Sequence, residues 1–171
     1  MPQRDILGPA KTVSSTLTYD QKALYKFLGK WFQDRQYNVL EKDYKERVNA
    51  DSKRLYQFKW VADKKVDDYT AFFMTLDFKA EVENVPIETH DGKKKTAQNG
   101  EVTITFQAYV ERDYEDEWAL TKERPTQRLL REIYDKLVIK GRFSRQEGEL
   151  RKDLKGLIND AKTYLKTHRY D

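Results

Sequence analysis

A chain of 171 residues with 38% hydrophobic and 36% charged residues is polar for a globular protein, yet its 11 Tyr, 8 Phe and 3 Trp supply enough apolar area for one domain with a core. The absence of cysteine excludes a disulfide framework, thiolate zinc and iron–sulfur sites, and a cysteine nucleophile. No run approaches the ~18 apolar residues of a membrane helix, and MPQRDILGPAKTVSSTLT lacks the apolar centre of a signal peptide, so the expectation is a soluble, cytoplasmic protein.

Residues 1 to 17 carry two of the four prolines and no usable period, which reads as a flexible lead-in to a single domain over residues 18 to 171. Thr18 and Gln21 have capping-box spacing. Leu24, Phe27, Leu28, Trp31 and Phe32 then recur on one helical face, predicting a helix from about 19 to 36 with Lys22, Lys26, Lys30 and Arg35 on its wet side.

The period then changes from 3.6 to 2. Residues 38 to 48 read as a partly exposed edge strand with Leu40, Tyr44 and Val48 on one side. Residues 54 to 62 put Tyr56, Phe58, Trp60 and Ala62 on one face. Residues 69 to 82 do the same with Phe72, Met74, Leu76, Phe78, Ala80 and Val82. A turn centred on Val66 would pair Trp60 with Phe72, Phe58 with Met74 and Tyr56 with Leu76, and would set Lys59 against Phe73 and Lys64 against Asp68. A short VPIET segment follows, then the turn dipeptides Asp91-Gly92 and Asn99-Gly100. The last strand, 101 to 112, turns Val102, Ile104, Phe106, Ala108 and Val110 inward.

Two closing helices are expected. The first starts at Pro125, carries Leu130, Ile133, Tyr134, Leu137 and Val138, and ends at Gly141 as a C-cap. The second opens on a Ser144–Glu147 capping box and carries Leu150, Leu154, Leu157, Ile158, Ala161 and Leu165 to about residue 167. The expected fold class is α+β: an N-terminal helix, an antiparallel meander of five to six strands, and two C-terminal helices packed on one sheet face.

Function is read from what remains outside that core. YVERDYEDEW at 109 to 118 alternates so that its acids face water, which is the pattern of a solvated strand end. Gathered with the DKKVDD connection, Asp67, Asp68, Glu111 and Asp113 could hold a hard cation, but Lys64, Lys65 and Arg112 sit among them to neutralise the charge. His90 and His168 are separated and occupy a turn and the tail. Ser14, Ser15, Ser52 and Ser144 have no nucleophile context, and no glycine loop or dinucleotide fingerprint occurs, so no catalytic residue, metal or cofactor is assigned and no enzyme is expected.

Binding is the expectation left standing. On the outer sheet face Lys59, Tyr69, Phe73, Thr75, Thr103, Thr105, Gln107 and Tyr109 mix aromatic rings with hydrogen-bonding groups, which suits a protein partner or self-association first and single-stranded RNA second. Charge is uneven: residues 1 to 37 sum to +3, residues 38 to 120 to −5 and residues 121 to 171 to +6. Arg124, Arg128, Arg131, Arg142, Arg145, Arg151, Lys152 and Lys155 therefore form a candidate anion-binding surface for nucleic acid, although Glu147, Glu149, Asp153 and Asp160 are interspersed. Lys93, Lys94 and Lys95 beside a turn read as a guard on a sheet edge. The third expectation is a small apolar ligand between sheet and final helix, as in helix-grip ligand binders, lined by Tyr56, Phe58, Trp60, Phe72 and Phe106. A filled core would use the same residues, and the element order here lacks that fold's strand ahead of the first helix.

Overall fold

The computed structural model describes residues 3–112, 129, 133 and 140–170. Among them the elements run β1 (Gln3–Ile6), β2 (Lys11–Tyr19), α1 (Gln21–Asp34), β3 (Asn38–Val48), β4 (Arg54–Lys65), β5 (Thr70–Glu88), β6 (Lys94–Arg112) and α2 (Lys140–Thr167). All pairings are antiparallel, in the sheet order β1-β6-β5-β4-β3, with β2 also on β6. The class is α+β, as the alternating patterns predicted.

The amino-terminal segment corrects the first expectation. Where a flexible lead-in was expected, residues 3 to 19 form β1 and β2, end to end along the free edge of β6, Gln3 opposite Arg112 and Lys11 opposite Phe106. Between them Gly8 takes φ +81°, a left-handed conformation that suits glycine. Val13, Leu17 and Tyr19 are buried at alternate positions, so the strand signal was present but diluted by small polar residues. The first helix is therefore not N-terminal, and the strand whose absence set the chain apart from the helix-grip order is present. Thr18 belongs to β2 and accepts from Asn99 Nδ2 at 2.6 Å. The N-cap of α1 is Asp20, whose Oδ1 accepts the Ala23 N–H at 3.1 Å.

The meander has the predicted faces with a different register. Trp60 pairs with Leu76, Phe58 with Phe78 and Tyr56 with Ala80; Lys59 opposes Asp77, and Lys64 opposes Phe72. Each partner is four residues from the expected one. A slip by an even number leaves every side chain on its own face, so the hydrophobic pattern cannot distinguish the two registers. The loop chemistry decides. Asp67 Oδ1 accepts the backbone N–H groups of Tyr69 and Thr70 at 2.8 and 2.7 Å, which moves the reversal two residues beyond Val66.

The next two strands are longer than their patterns suggested. The first four residues of VPIET end β5 at Glu88, and the turn that follows is closed by Thr89 and Lys93 with Gly92 at φ +75°. Asn99-Gly100 is not a turn but a point inside β6. A Cβ on Gly100 would stand 2.1 Å from the Glu81 carbonyl oxygen and 2.8 Å from Val82 Cα, so only glycine admits this approach of β6 to β5.

Both helices cover one face of the sheet. Leu24, Leu28 and Phe32 of α1 and Leu150, Leu157, Ala161 and Leu165 of α2 join Phe58, Trp60, Met74, Leu76, Ile104 and Phe106 in one core. The helices lie side by side: the Phe27 and Tyr164 rings stack at 4.4 Å, and Trp31 Nε1 donates to Asp160 Oδ2 at 2.8 Å. The break expected between Gly141 and Ser144 does not occur there. Gly141, Ser144 and Glu147 all fall within α2, and Gly141 is not in the left-handed conformation a C-cap glycine adopts. One C-terminal helix is described where two were expected; the predicted helix starting at Pro125 lies outside the described residues except for Leu129 and Ile133.

Candidate functional site

The covered face is where a site forms, because the cover stops short. α1 begins only at Gln21, while β5 and β6 continue beyond β2 and β4 as a two-stranded arm, Val85 opposite Ala97 through Glu88 opposite Lys94. A cleft of about 610 Å³ opens there, lined by Asp20, Gln21, Lys22 and Tyr25 at the start of α1, Glu41 and Tyr44 of β3, Tyr56 of β4, and Lys95, Thr96 and Gln98 of β6. Its size lies within the roughly 300–1,000 Å³ of small-molecule sites.

A β-bulge builds one wall. The register shifts between Glu41 and Asp43, so Glu41, opposite Trp60, and Tyr44, opposite Phe58, share the covered face although they are three residues apart. Glu41 Oε2 accepts the Tyr25 hydroxyl at 2.5 Å and Trp60 Nε1 at 2.8 Å, while Oε1 accepts no bond among the described residues. The Tyr25 ring stands edge-on to Phe58, Trp60 and Tyr44 at 5.1, 5.0 and 6.3 Å. Tyr44, 45% exposed, lies parallel to Phe58 and presents its free side to solvent. Burial, then the hydrogen bond and charge of Glu41, push the Tyr25 hydroxyl up to about 12, so it remains a donor throughout the neutral range. Burial and the Glu46 carboxylate raise Tyr44 and Tyr56 as well.

The opposite wall is polar and held in place. Gln98 Oε1 accepts the Gln21 N–H at 2.8 Å, and its Nε2 donates to Asn84 at 3.2 Å. The Lys95 ammonium bonds Asp20. Burial opposes ionisation of Asp20, but Lys95 and the Ala23 N–H outweigh it and hold the carboxyl below its ordinary value; the same bond raises Lys95. Lys95 is thus a staple between arm and helix, a more specific role than the edge guard expected of it. The cleft combines three tyrosines, the Glu41 carboxylate with a lone oxygen, the exposed Lys22 side chain at its rim, and a neutralised ion pair at the far wall. That arrangement can enclose an apolar or aromatic body and accept a hydrogen bond or a cation at Glu41.

The sequence-predicted outer face is only partly assembled. Phe73 and Tyr109 stack across β5 and β6 at 4.9 Å with planes 3° apart, and Arg4 stands 5.4 Å over Tyr109. Thr103 and Thr105 meet Ser14 and Thr12 at 3.2 Å each, while Thr75 and Gln107 face each other across the ladder. Lys59 lies beside Asp77 and Asp43, away from the stack. Tyr69 does not join them: held by the Asp67 turn, it stacks on Phe143 of α2 at 6.1 Å.

The acidic end is occupied by structural bonds. Besides its two backbone bonds, Asp67 takes Arg142 Nη2 at 2.8 Å and Gln146 Nε2 at 2.9 Å on Oδ2, tying the hairpin to α2. Asp68 pairs with Lys65, Glu111 with Arg4, and Arg112 with both Asp5 and Glu147. Asp113 lies outside the described residues. Among the described residues no group of three or more His, Asp or Glu is placed to hold a metal ion.

Of the candidate anion-binding residues, Arg124, Arg128 and Arg131 lie outside the described residues, Arg142 is engaged by Asp67, and Arg145, Arg151, Lys152 and Lys155 are exposed on α2. The predicted apolar pocket under the final helix is filled: Phe58, Trp60, Phe72 and Phe106 are at most 3% exposed, and Tyr56 alone of that set reaches the cleft. Sequence reasoning missed Glu41, Lys95 and Gln98, because the bulge and the long β5–β6 arm that bring them together leave no periodic signal.

No family model matches the chain, and a search of the curated proteins returned no match. No helix among the described residues is long and apolar enough to cross a membrane.

Proposed function

We propose that the chain is a small-molecule-binding protein whose ligand occupies the tyrosine-lined cleft at the start of α1. The observation that carries this reading is the cleft itself: about 610 Å³, with Tyr25, Tyr44, Tyr56 and Glu41 converging on it. Its chemistry favours a ligand with an apolar or aromatic body and a cationic or hydrogen-bond-donating head. The body would lie against the tyrosines and the head at Glu41. The test is a titration of ¹⁵N-labelled protein with benzylamine, using benzoate as the charge-reversed control. Saturable shifts at Tyr25, Glu41 and Tyr44 with benzylamine, weakened in Glu41→Gln, support the reading. Shifts confined to the outer sheet face, or equal binding of benzoate, overturn it.

One observation favours a second reading, a protein contact on the outer sheet face. Phe73 and Tyr109 form a parallel aromatic pair there, and both described helices cover the other face. A partner or a second copy seated on that pair would lose affinity when Phe73 is replaced by Ala while the cleft is unaffected.

A further inference from the structure

We propose that the outward face of α2 binds the phosphate backbone of a nucleic-acid duplex. The helix carries eight cations and four acids, a mixture that read along the chain looks like an ordinary solvated surface. The fold separates them. At about 100° per residue, Arg145, Arg151, Lys152, Lys155, Lys162 and Lys166 fall within an arc of about 120° that starts at one edge of the stripe joining the core and runs round the outward side. All six are exposed, and none forms an ion pair among the described residues.

The acids are drawn elsewhere by specific donors. Asp153 accepts the Tyr37 hydroxyl at 2.8 Å, and Asp160 accepts Trp31 Nε1 at 2.8 Å and lies 3.6 Å from Arg35. Glu149 sits on that same flank, where its charge helps to raise Tyr37. Glu147 is turned the other way, to Arg112 at 3.3 Å. The outward arc therefore holds cations without acids, and Lys26 and Lys30 of α1, on the neighbouring helix, are exposed as well.

Shape and composition select the partner. From Arg145 to Lys166 the charges span about 31 Å in a straight line, close to one turn of duplex at roughly 34 Å. A duplex is a rigid rod with one negative charge per ~1.7 Å of axis, which a fixed row of cations can follow by releasing condensed counterions. A membrane surface is the poorer match. An interfacial helix inserts a free apolar face, and the apolar stripe of α2, Leu150, Leu154, Leu157 and Leu165, is already buried against the sheet.

The experiment measures anisotropy of a fluorescein-labelled DNA duplex two helical turns long against the full chain across a salt series. The expected result is saturable binding whose logarithm falls linearly with the logarithm of salt. In the triple variant Arg151→Glu, Lys152→Glu, Lys155→Glu, affinity drops by about tenfold or more at low salt, and the slope becomes shallower by about 2.7, at ~0.9 per lost phosphate contact. The charge-matched control Lys42→Glu, Lys45→Glu, Lys79→Glu, on the sheet side, retains binding and slope. Equal losses in both variants, an unaffected α2 variant, or binding to phosphatidylglycerol vesicles without binding to duplex would each overturn the proposal.

Discussion

The two faces of the central strands share one backbone and differ in almost everything else. On the covered face of β4 to β6, residues such as Phe58, Met74, Ile104 and Phe106 are at most 1% exposed and pack against both helices. On the other face Phe73, Thr75, Thr103, Gln107 and Tyr109 are half-buried, shielded mainly by their cross-strand neighbours. The difference teaches that burial alone does not make a site here. Among the described residues the covered face is closed where α1 and α2 lie on it and opens into a cleft where the strands outrun the helix.

Changes on the two faces break or sharpen that comparison. Phe106→Ala should cost about 3–5 kcal/mol in denaturant unfolding, since a fully buried ring leaves a cavity. Phe73→Ala, which removes one partner of an exposed-face stack, should cost about 1 kcal/mol. Equal costs would mean the faces are not distinct. Gly100→Ala should cost about 1–3 kcal/mol, because its Cβ has no room beside the Glu81 carbonyl and the β5–β6 arm that borders the cleft must shift. A neutral result would show that the arm is not held so closely.

Asp67→Asn should cost about 1–2 kcal/mol by weakening its bonds from Arg142 and Gln146, and should loosen α2 from the hairpin. Burial opposes ionisation of Asp67, but the Tyr69 N–H, Gln146, the Thr70 N–H and Arg142 prevail and depress its carboxyl. A depressed acid contributes stability above its unfolded value of 3.8, lost as pH falls from there through the folded value. The acid sensitivity below pH ~4 should therefore be smaller in the Asn variant.

At the other end of the scale, burial raises the hydroxyls of Tyr19 and Tyr37, and that of Tyr25 to about 12. Groups raised in the folded state contribute stability that is full below the unfolded value of 10.0 and lost as pH rises through the folded values. Tyrosinate absorbance should lag behind that of the unfolded chain above pH 10 and then rise together with unfolding. Independent early titration of all tyrosines would contradict the packing of the covered face.

The faces of β4, β5 and β6 were legible because a period of two survives any even slip in register. The register itself was not, since it depends on which loop residue caps the turn, and Asp67 rather than Val66 governs that. β2 went unread because Ser14, Ser15 and Thr16 dilute an alternation that Val13, Leu17 and Tyr19 do carry. Asn99-Gly100 carries the sequence mark of a turn, whereas here the missing side chain serves a close strand contact. The pattern places Tyr44 on an edge strand, but its position beside Glu41 depends on a bulge, and Lys95 and Gln98 reach the cleft through a length of β6 that no local pattern announces. The cations of α2 and their common arc are legible from helical spacing, but the bonds that hold the acids away from them are not, because these depend on where Tyr37, Trp31 and Arg112 stand.

Hydroxyl-radical footprinting of the whole chain with and without saturating benzylamine tests the ligand site most directly. The cleft predicts that Tyr25, Tyr44 and Tyr56 lose reactivity on binding while Phe73 and Tyr109 react as before. Protection of Phe73 and Tyr109, with Tyr44 unchanged, would place the binding surface on the other side of the sheet.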